Sequence, residues 1–248
     1  MKKKTRTAWI TGLMLLLLWQ ILAVNVANDI LVPYPVAVLS RMVKDLGDPG
    51  FYQVVISSLV RMMKGYGMSL ILAALFAFTA ACNETVRYIL SPLNVIVKTI
   101  PNLSYIMVFL ILLGSEGSVM VTSFCILFPL FYSAILLSQD MMETSLKQVL
   151  LCYPEKGPIV FFKVRLPQSV PYLLDAMKTG FGLGLRVCIM AEILTQVRIG
   201  IGRQMSYAAR VALDMTGLFS WTLWIILISV AGHLLLEFVQ KMIEKQFL

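Results

Sequence analysis

Residues 117–139 read GSVMVTSFCILFPLFYSAILLSQ, 23 positions without a charge between Glu116 and Asp140. A bilayer core about 30 Å thick is crossed by about 20 helical residues, so this stretch is long enough to span a membrane once. Four further charge-free runs repeat the signal: 22 residues between Arg6 and Asp29, 19 between Lys64 and Glu84, 17 between Lys98 and Glu116, and 22 between Asp214 and Glu237. The run before Glu116 is extended backwards by the apolar stretch Tyr88–Val97. Composition agrees. Of 248 residues, 59% are apolar and 14% charged, and the mean hydropathy is +0.84. Soluble domains carry about 25% charged residues. A water-soluble globule could not hide this much apolar surface, which excludes a soluble enzyme, a disordered chain and a fibrous repeat.

A sixth span is carried by residues 169–195, SVPYLLDAMKTGFGLGLRVCIMAEILT. It contains Asp175, Lys178, Arg186 and Glu192 in an otherwise apolar, glycine-rich setting. At about 100° per residue these four fall within an arc of roughly 120° on one helix face, and Gly182 shares it. Such a stripe is expected to face protein or water rather than lipid. It reads either as a pathway wall or as a set of internal ion pairs, Lys178 or Arg186 with Asp175 or Glu192. For Asp175 and Lys178, snorkelling at the inner membrane surface is the simpler alternative. The expected fold is all-α: a single transmembrane domain over 1–248, with about six spans near 8–28, 54–82, 88–114, 117–138, 169–195 and 215–239.

Charge orients these spans. The net charge is +8, and basic excess in a membrane protein collects in cytoplasmic loops. Lys2, Lys3, Lys4 and Arg6 precede the first span, and Lys241 and Lys245 follow the last, so both termini are expected in the cytoplasm. Alternation puts Lys147, Lys156, Lys163 and Arg165 inside as well. The loop with Arg198, Arg203 and Arg210 then falls outside, against the rule. The N-terminus has signal-peptide character, but its apolar stretch is too long and no A-x-A site follows at Ala23–Asn28. An uncleaved first helix is expected. The basic residues are scattered, which argues against nucleic-acid binding.

The connections carry the remaining signals. Val32-Pro33-Tyr34-Pro35 is a rigid extended step. Val36, Leu39, Val43 and Leu46 recur at helical spacing, and a short helix on the outer surface is expected there. Asp48-Pro49-Gly50 reads as a turn, with the second span starting near Gln53. That start leaves Arg61 and Lys64 inside the span, where they need polar company. Pro92 and Pro101 are expected to kink the third span, and Pro129 the fourth. Pro101, Asn102, Ser104 and Tyr105 together make a candidate pathway wall. The segment 139–168 is too long for a hairpin connection and too charged for lipid. It reads as a helix over Met141–Cys152, a break at Tyr153–Pro158, and a short basic helix over Ile159–Arg165 ending at Leu166-Pro167, the whole forming a docking surface for another protein.

At this point the sequence resembles the inner-membrane permease subunits of binding-protein-dependent ABC importers of the nitrate/sulfonate/taurine type. Leu31-Val32-Pro33-Tyr34-Pro35-Val36-Ala37-Val38-Leu39 resembles the group's LPsPsaVl segment. Leu90-Ser91-Pro92-Leu93 with Ile100-Pro101-Asn102 resembles its third helix. Val164-Arg165-Leu166-Pro167 with Pro171 and Lys178 resembles the end of its cytoplasmic signature. Ala191-Glu192-Ile193-Leu194 with Ile199-Gly200-Ile201-Gly202 is similar to its aEml…GlG. The signature's opening E-A-A and later glycine fall on Gln148-Val149-Leu150 and Pro154, so those residues are absent and the coupling helix is assigned by position alone. The resemblance implies that Lys147, Gln148, Val149, Leu150, Tyr153, Pro154, Glu155, Lys156 and Gly157 dock on ATPase subunits. It implies two such ATPases using ATP and Mg, a second permease copy or paralogue, an extracytoplasmic solute-binding protein, and residence in the cell membrane. The solute stays open, as does homodimer against heterodimer.

No cofactor or metal is expected in this chain. There is no G-x-x-x-x-G-K-[ST] phosphate loop, and Gly180, Gly182 and Gly184 read as a close-packing surface within a helix. The competing readings are an intramembrane enzyme and an ATP-independent channel or scaffold. The first lacks G-x-S-x-G and H-E-x-x-H, and its only histidine, His233, reads as a packed polar contact with Ser229. Cys82, Cys125, Cys152 and Cys188 lie far apart and read as small buried thiols rather than disulfides or metal ligands.

Overall fold

The computed structural model describes residues 2–26, 28, 31–142, 148, 152 and 157–247. Of the described residues 91% are helical, and none is in a strand. The helices are α1 (Lys2–Val26), α2 (Pro35–Asp45), α3 (Pro49–Cys82), α4 (Glu84–Thr99), α5 (Asn102–Asp140), α6 (Gly157–Val160), α7 (Leu166–Thr195), α8 (Ile201–Tyr207) and α9 (Met215–Phe247). Three of them are long and apolar enough to cross a membrane, over Pro49–Cys82, Asn102–Asp140 and Met215–Ile243, with a shorter apolar helix over Ile10–Val26. The chain forms two compact units, residues 1–58 with 196–227 and residues 59–195 with 228–248.

In the first unit, the Trp19 indole donates to the Pro33 carbonyl at 3.1 Å and stacks on Phe219. Pro35 opens α2, where a fixed φ helps and the missing N–H leaves nothing unpaired. The helix α3 starts at Pro49 rather than near Gln53. Asp48-Pro49-Gly50 is a helix start and not only a turn: the Asp48 carboxylate accepts the Gly50 N–H at 2.8 Å, and proline takes the first helical position. Phe51 packs on Trp221 and Trp224. The Ile201 N–H at the start of α8 donates to the buried Ser58 hydroxyl at 2.8 Å. A π-helical turn, Ala208–Ala212, then ends at Leu213 in the left-handed region.

In the second unit, α5 lies antiparallel along α7 in its most extensive helix pairing. Leu127, Phe131, Tyr132, Ile135, Leu185 and Met62 form its core. The span expected over 88–114 is two helices. Proline at 101 cannot continue α4, so Ile100 and Pro101 are extended and α5 begins at Asn102. Pro92 and Pro129 stay inside their helices. The sharp break lies instead at Gly114, with φ 69° and ψ −177°, a conformation open essentially to glycine alone. Without it, 39 residues would make a rod about 58 Å long.

The short basic helix does not end at Leu166-Pro167. It runs through a π-helical turn, Phe161–Arg165, straight into α7. The Leu166 N–H reaches back five residues to Phe161, and this wider turn makes room for the Pro167 ring that a regular α-turn would push against the preceding carbonyl. Met141 caps α5, and Gln148 and Cys152 are helical, while residues 143–147, 149–151 and 153–156 lie outside the described residues. None of the four cysteines forms a disulfide. Cys188 is buried and Cys125 partly so, but Cys82, at the end of α3, and Cys152 are exposed. His233 is exposed on α9 rather than packed.

Candidate functional site

The polar stripe of α7 divides by environment. Glu192 is fully buried, at 0% exposure. It pairs with Arg61 of α3, whose Nε also donates to Glu116 of α5 at 2.5 Å. The Cys188 thiol donates to Glu192 from one turn back. Three helices therefore meet on one guanidinium, whose fixed fork can serve two carboxylates at once. The Ser115 hydroxyl donates to the Thr195 carbonyl at 2.7 Å beside them. Lower on the stripe, Lys178 pairs with Asp175 at 2.6 Å on the same helix, with the Asp175 side chain exposed. Arg186 is exposed. A Cβ on Gly182 would lie 3.3 Å from the Ser229 hydroxyl of α9, whereas Cβ atoms on Gly180 and Gly184 would press on Phe131 and Leu127 of α5. The three glycines thus serve two faces.

The other end of α7 is held mostly by neutral groups, with the Arg165 guanidinium beside them and no carboxylate. The Gln139 amide donates to the Ser169 hydroxyl at 2.7 Å and to the Arg165 carbonyl at 3.1 Å. Ser138 and Ser169 share a hydrogen bond at 2.9 Å. The Gln168 amide donates to the Ser138 carbonyl at 2.8 Å. Arg165 reaches the end of α3, donating to the Ala81 carbonyl at 3.2 Å and to Cys82 Sγ at 3.3 Å. Oε1 of Gln139 and of Gln168 are buried without a hydrogen-bond partner among the described residues. This clasp joins the two ends of the 139–168 segment to each other and to α3. Next to it, Arg87 of α4 holds Asp140 at 2.8 and 2.7 Å. Hydrogen bonding to that carboxylate raises the Arg87 pKa above its ordinary value.

Around the break between α4 and α5, Pro101, Asn102 and Ser104 are exposed and Tyr105 is half-buried. Pro101 has no N–H to offer the Val97 carbonyl four residues back. The Tyr105 hydroxyl donates to that carbonyl instead, at 2.9 Å, which satisfies the group the proline frees. Asn94 and Lys98 of α4 reach the Ser133 hydroxyl at 3.2 and 2.8 Å, so α4 runs antiparallel to the second part of α5. Of the residues expected at the docking surface, Gln148 and Gly157 are helical and exposed, while Lys147, Val149, Leu150, Tyr153, Pro154, Glu155 and Lys156 lie outside the described residues.

Several contributors carried little sequence signal. Glu116 reads as a boundary between spans, and its pairing with Arg61 depends on helix register. Ser138, Gln139 and Ser169 look like ordinary polar residues at span ends. Gly65 and Ser69, four apart, are a small-residue pair of the kind that lets helices approach closely. A Cβ at Gly65 would sit 2.6 Å from the Met120 carbonyl, and the Ser69 hydroxyl donates to the Phe124 carbonyl at 3.0 Å.

Long apolar helices, buried ionic and hydrogen-bonded seams and lipid-compatible outer faces define a polytopic α-helical membrane protein. Comparison with curated proteins narrows the class. The chain is 22% identical over 191 residues to the taurine transport system permease protein TauC of Escherichia coli (strain K12), covering 74% of this chain and 69% of that one. It is 23% identical over 228 residues to the formylaminopyrimidine transport permease protein ThiX of Halalkalibacterium halodurans, covering 89% and 87%. It is 23% identical over 201 residues to the nitrate import permease protein NrtB of Synechocystis, covering 76% and 71%. No family model matches the chain. Over most of its length the chain is thus similar to permease subunits of ABC import systems, among them those named for taurine and nitrate.

Proposed function

We propose that this chain forms half of a solute pathway in the cell membrane and converts the movements of two cytoplasmic ATPase subunits into opening and closing of that pathway. A second copy or a paralogue supplies the other half, and an extracytoplasmic binding protein delivers the solute. ATP and Mg belong to the ATPases, and this chain catalyses no reaction. Both termini lie in the cytoplasm. Lys147–Gly157 is the segment the ATPases grip, and Pro101, Asn102, Ser104 and Tyr105 with the stripe of α7 face the pathway or brace its wall. The solutes named for the relatives, among them taurine, nitrate and formylaminopyrimidine, are small and polar, and a solute of that class fits this chain.

The observation that carries this reading is the clasp of Ser138, Gln139, Arg165, Gln168 and Ser169. A docking segment moves helices only if its ends are fixed to them. Here both ends are joined to α5, α7 and the end of α3 through directional hydrogen bonds. Displacement of the segment then biases a two-state helix arrangement at a distance. Replacing Glu155 and Lys156 together with alanine, or Val149 with proline, is expected to abolish solute-stimulated ATP hydrolysis and uptake while the chain still inserts. Unchanged uptake in both variants would overturn the docking role.

A further inference from the structure

The helix α2 carries more apolar surface than the protein covers. Pro35, Val38 and Met42 are buried. Val36, Leu39, Val43 and Leu46 stand beside them at spacings of three and four and are exposed, Val36 at 73% and Val43 at 71%. At about 100° per residue the two sets occupy adjoining arcs, so one apolar sector of roughly 160° is half covered by protein and half open. The remaining face carries Ala37, Ser40, Arg41, Lys44 and Asp45. It lines an open cavity of about 490 Å³ with Asp48 and Thr216. Arg41 there bridges Asp45 and Asp214 at 3.1 and 3.4 Å. Around the helix the order is therefore protein, uncovered apolar stripe, charged face.

Two further observations say what covers the stripe. The aromatic groups at this level, Trp19, Tyr52, Phe51, Trp221 and Trp224, cluster around the ends of α2 and the start of α3. The Trp19 indole donates to Pro33 and the Tyr52 hydroxyl to Leu46, each at a flank of α2. Tryptophan and tyrosine concentrate where a membrane protein passes from hydrocarbon to headgroups. The helix α2 also contacts α1, a helix whose Leu13, Leu15–Leu18, Ile21 and Leu22 are exposed and compatible with lipid.

We infer that α2 is an interfacial helix, lying along the bilayer surface with Val36, Leu39, Val43 and Leu46 in the acyl region and Ser40, Arg41 and Lys44 toward headgroups and water. A helix with this division is held by its buried apolar area and its basic edge. It fixes the depth of the first unit in the membrane. The inference requires only that the protein is membrane-embedded, so it stands apart from the coupling role.

Spin labels on single cysteines test it in the full chain reconstituted in phosphatidylcholine and phosphatidylglycerol vesicles, with the four native cysteines replaced. Labels at V36C and V43C are compared with labels at A37C and K44C, and L16C on α1 reports lipid. Collision with dissolved oxygen relative to a water-soluble nickel chelate is expected to be several-fold higher at Val36 and Val43 than at Ala37 and Lys44, and close to the Leu16 value. Equal and high nickel access at all four α2 positions would overturn the inference by placing α2 in water. Exclusion of both reagents from Val36 and Val43 would overturn it by showing a protein partner on the stripe. Because Val36 and Val43 project outward, either label alone decides if the other chain fails to reconstitute, and a lipid-like L16C value shows that a negative result concerns α2 rather than membrane insertion.

Discussion

The two ends of α7 are held in opposite ways. At its C-terminal end, the buried Glu192 depends on Arg61, which also holds Glu116. At its N-terminal end, Ser169 sits among amides, hydroxyls and a carbonyl, with no carboxylate in the clasp. A buried charge cannot be left alone, so an ionic seam is either intact or severely penalised. A neutral network loses one bond at a time and can exchange partners. The rigid end therefore lies away from the expected motor contact, and the adjustable end lies beside it. In the proposed role α7 works as a lever, which needs a fixed point at one end and a place where force enters at the other.

Breaking the ionic end should have the largest effect. Replacing Arg61 with alanine takes the guanidinium away from the buried Glu192 carboxylate and should destabilise the chain by about 3–5 kcal/mol, read as loss of monodisperse protein in detergent. The double variant Arg61→Met with Glu192→Met should recover most of that loss, because Glu116 is 53% exposed and can be solvated. Equal damage from single and double variants would show that the pair does not act as a unit.

Between the two ends, Gly65→Leu drives a side chain into the α5 backbone at Met120. Overpacking of this kind costs about 1–3 kcal/mol, visible as a lower melting temperature. At the neutral end, Gln139→Ala should cost about 1–3 kcal/mol and reduce uptake more than it reduces yield, whereas Arg61→Ala should reduce both together. The smallest effect belongs to the exposed Asp175. Asp175→Asn should change stability by less than about 1 kcal/mol, and a large loss would mean that Asp175 meets a partner in the assembled transporter.

The class of fold was open to reading because charge-free runs and helical spacing are local properties. Arg61 could be flagged as needing a partner, and Glu192 as belonging to a polar stripe. Their pairing could not be read, since it depends on the relative register of α3 and α7, and the nearer basic residues Lys178 and Arg186 drew the expectation. Pro101 separates α4 from α5 and Pro92 and Pro129 are carried within helices, whereas the non-helical angles at Gly114 inside α5 had no signal in the sequence. Pro167 misled for a related reason, because a widened π turn can absorb a proline without ending the helix. The clasp stayed hidden because serine and glutamine at span ends are common, and their value comes from residues about thirty positions apart meeting in space.

The most direct test is to purify the tagged chain from its native membrane in mild detergent and measure ATP hydrolysis by what comes with it. The account predicts an ATPase co-purifying with the wild-type chain and lost from the Glu155→Ala, Lys156→Ala double variant, with both chains equally inserted. Wild-type chain recovered from the membrane with no associated ATPase, or an association indifferent to the double variant, would contradict it.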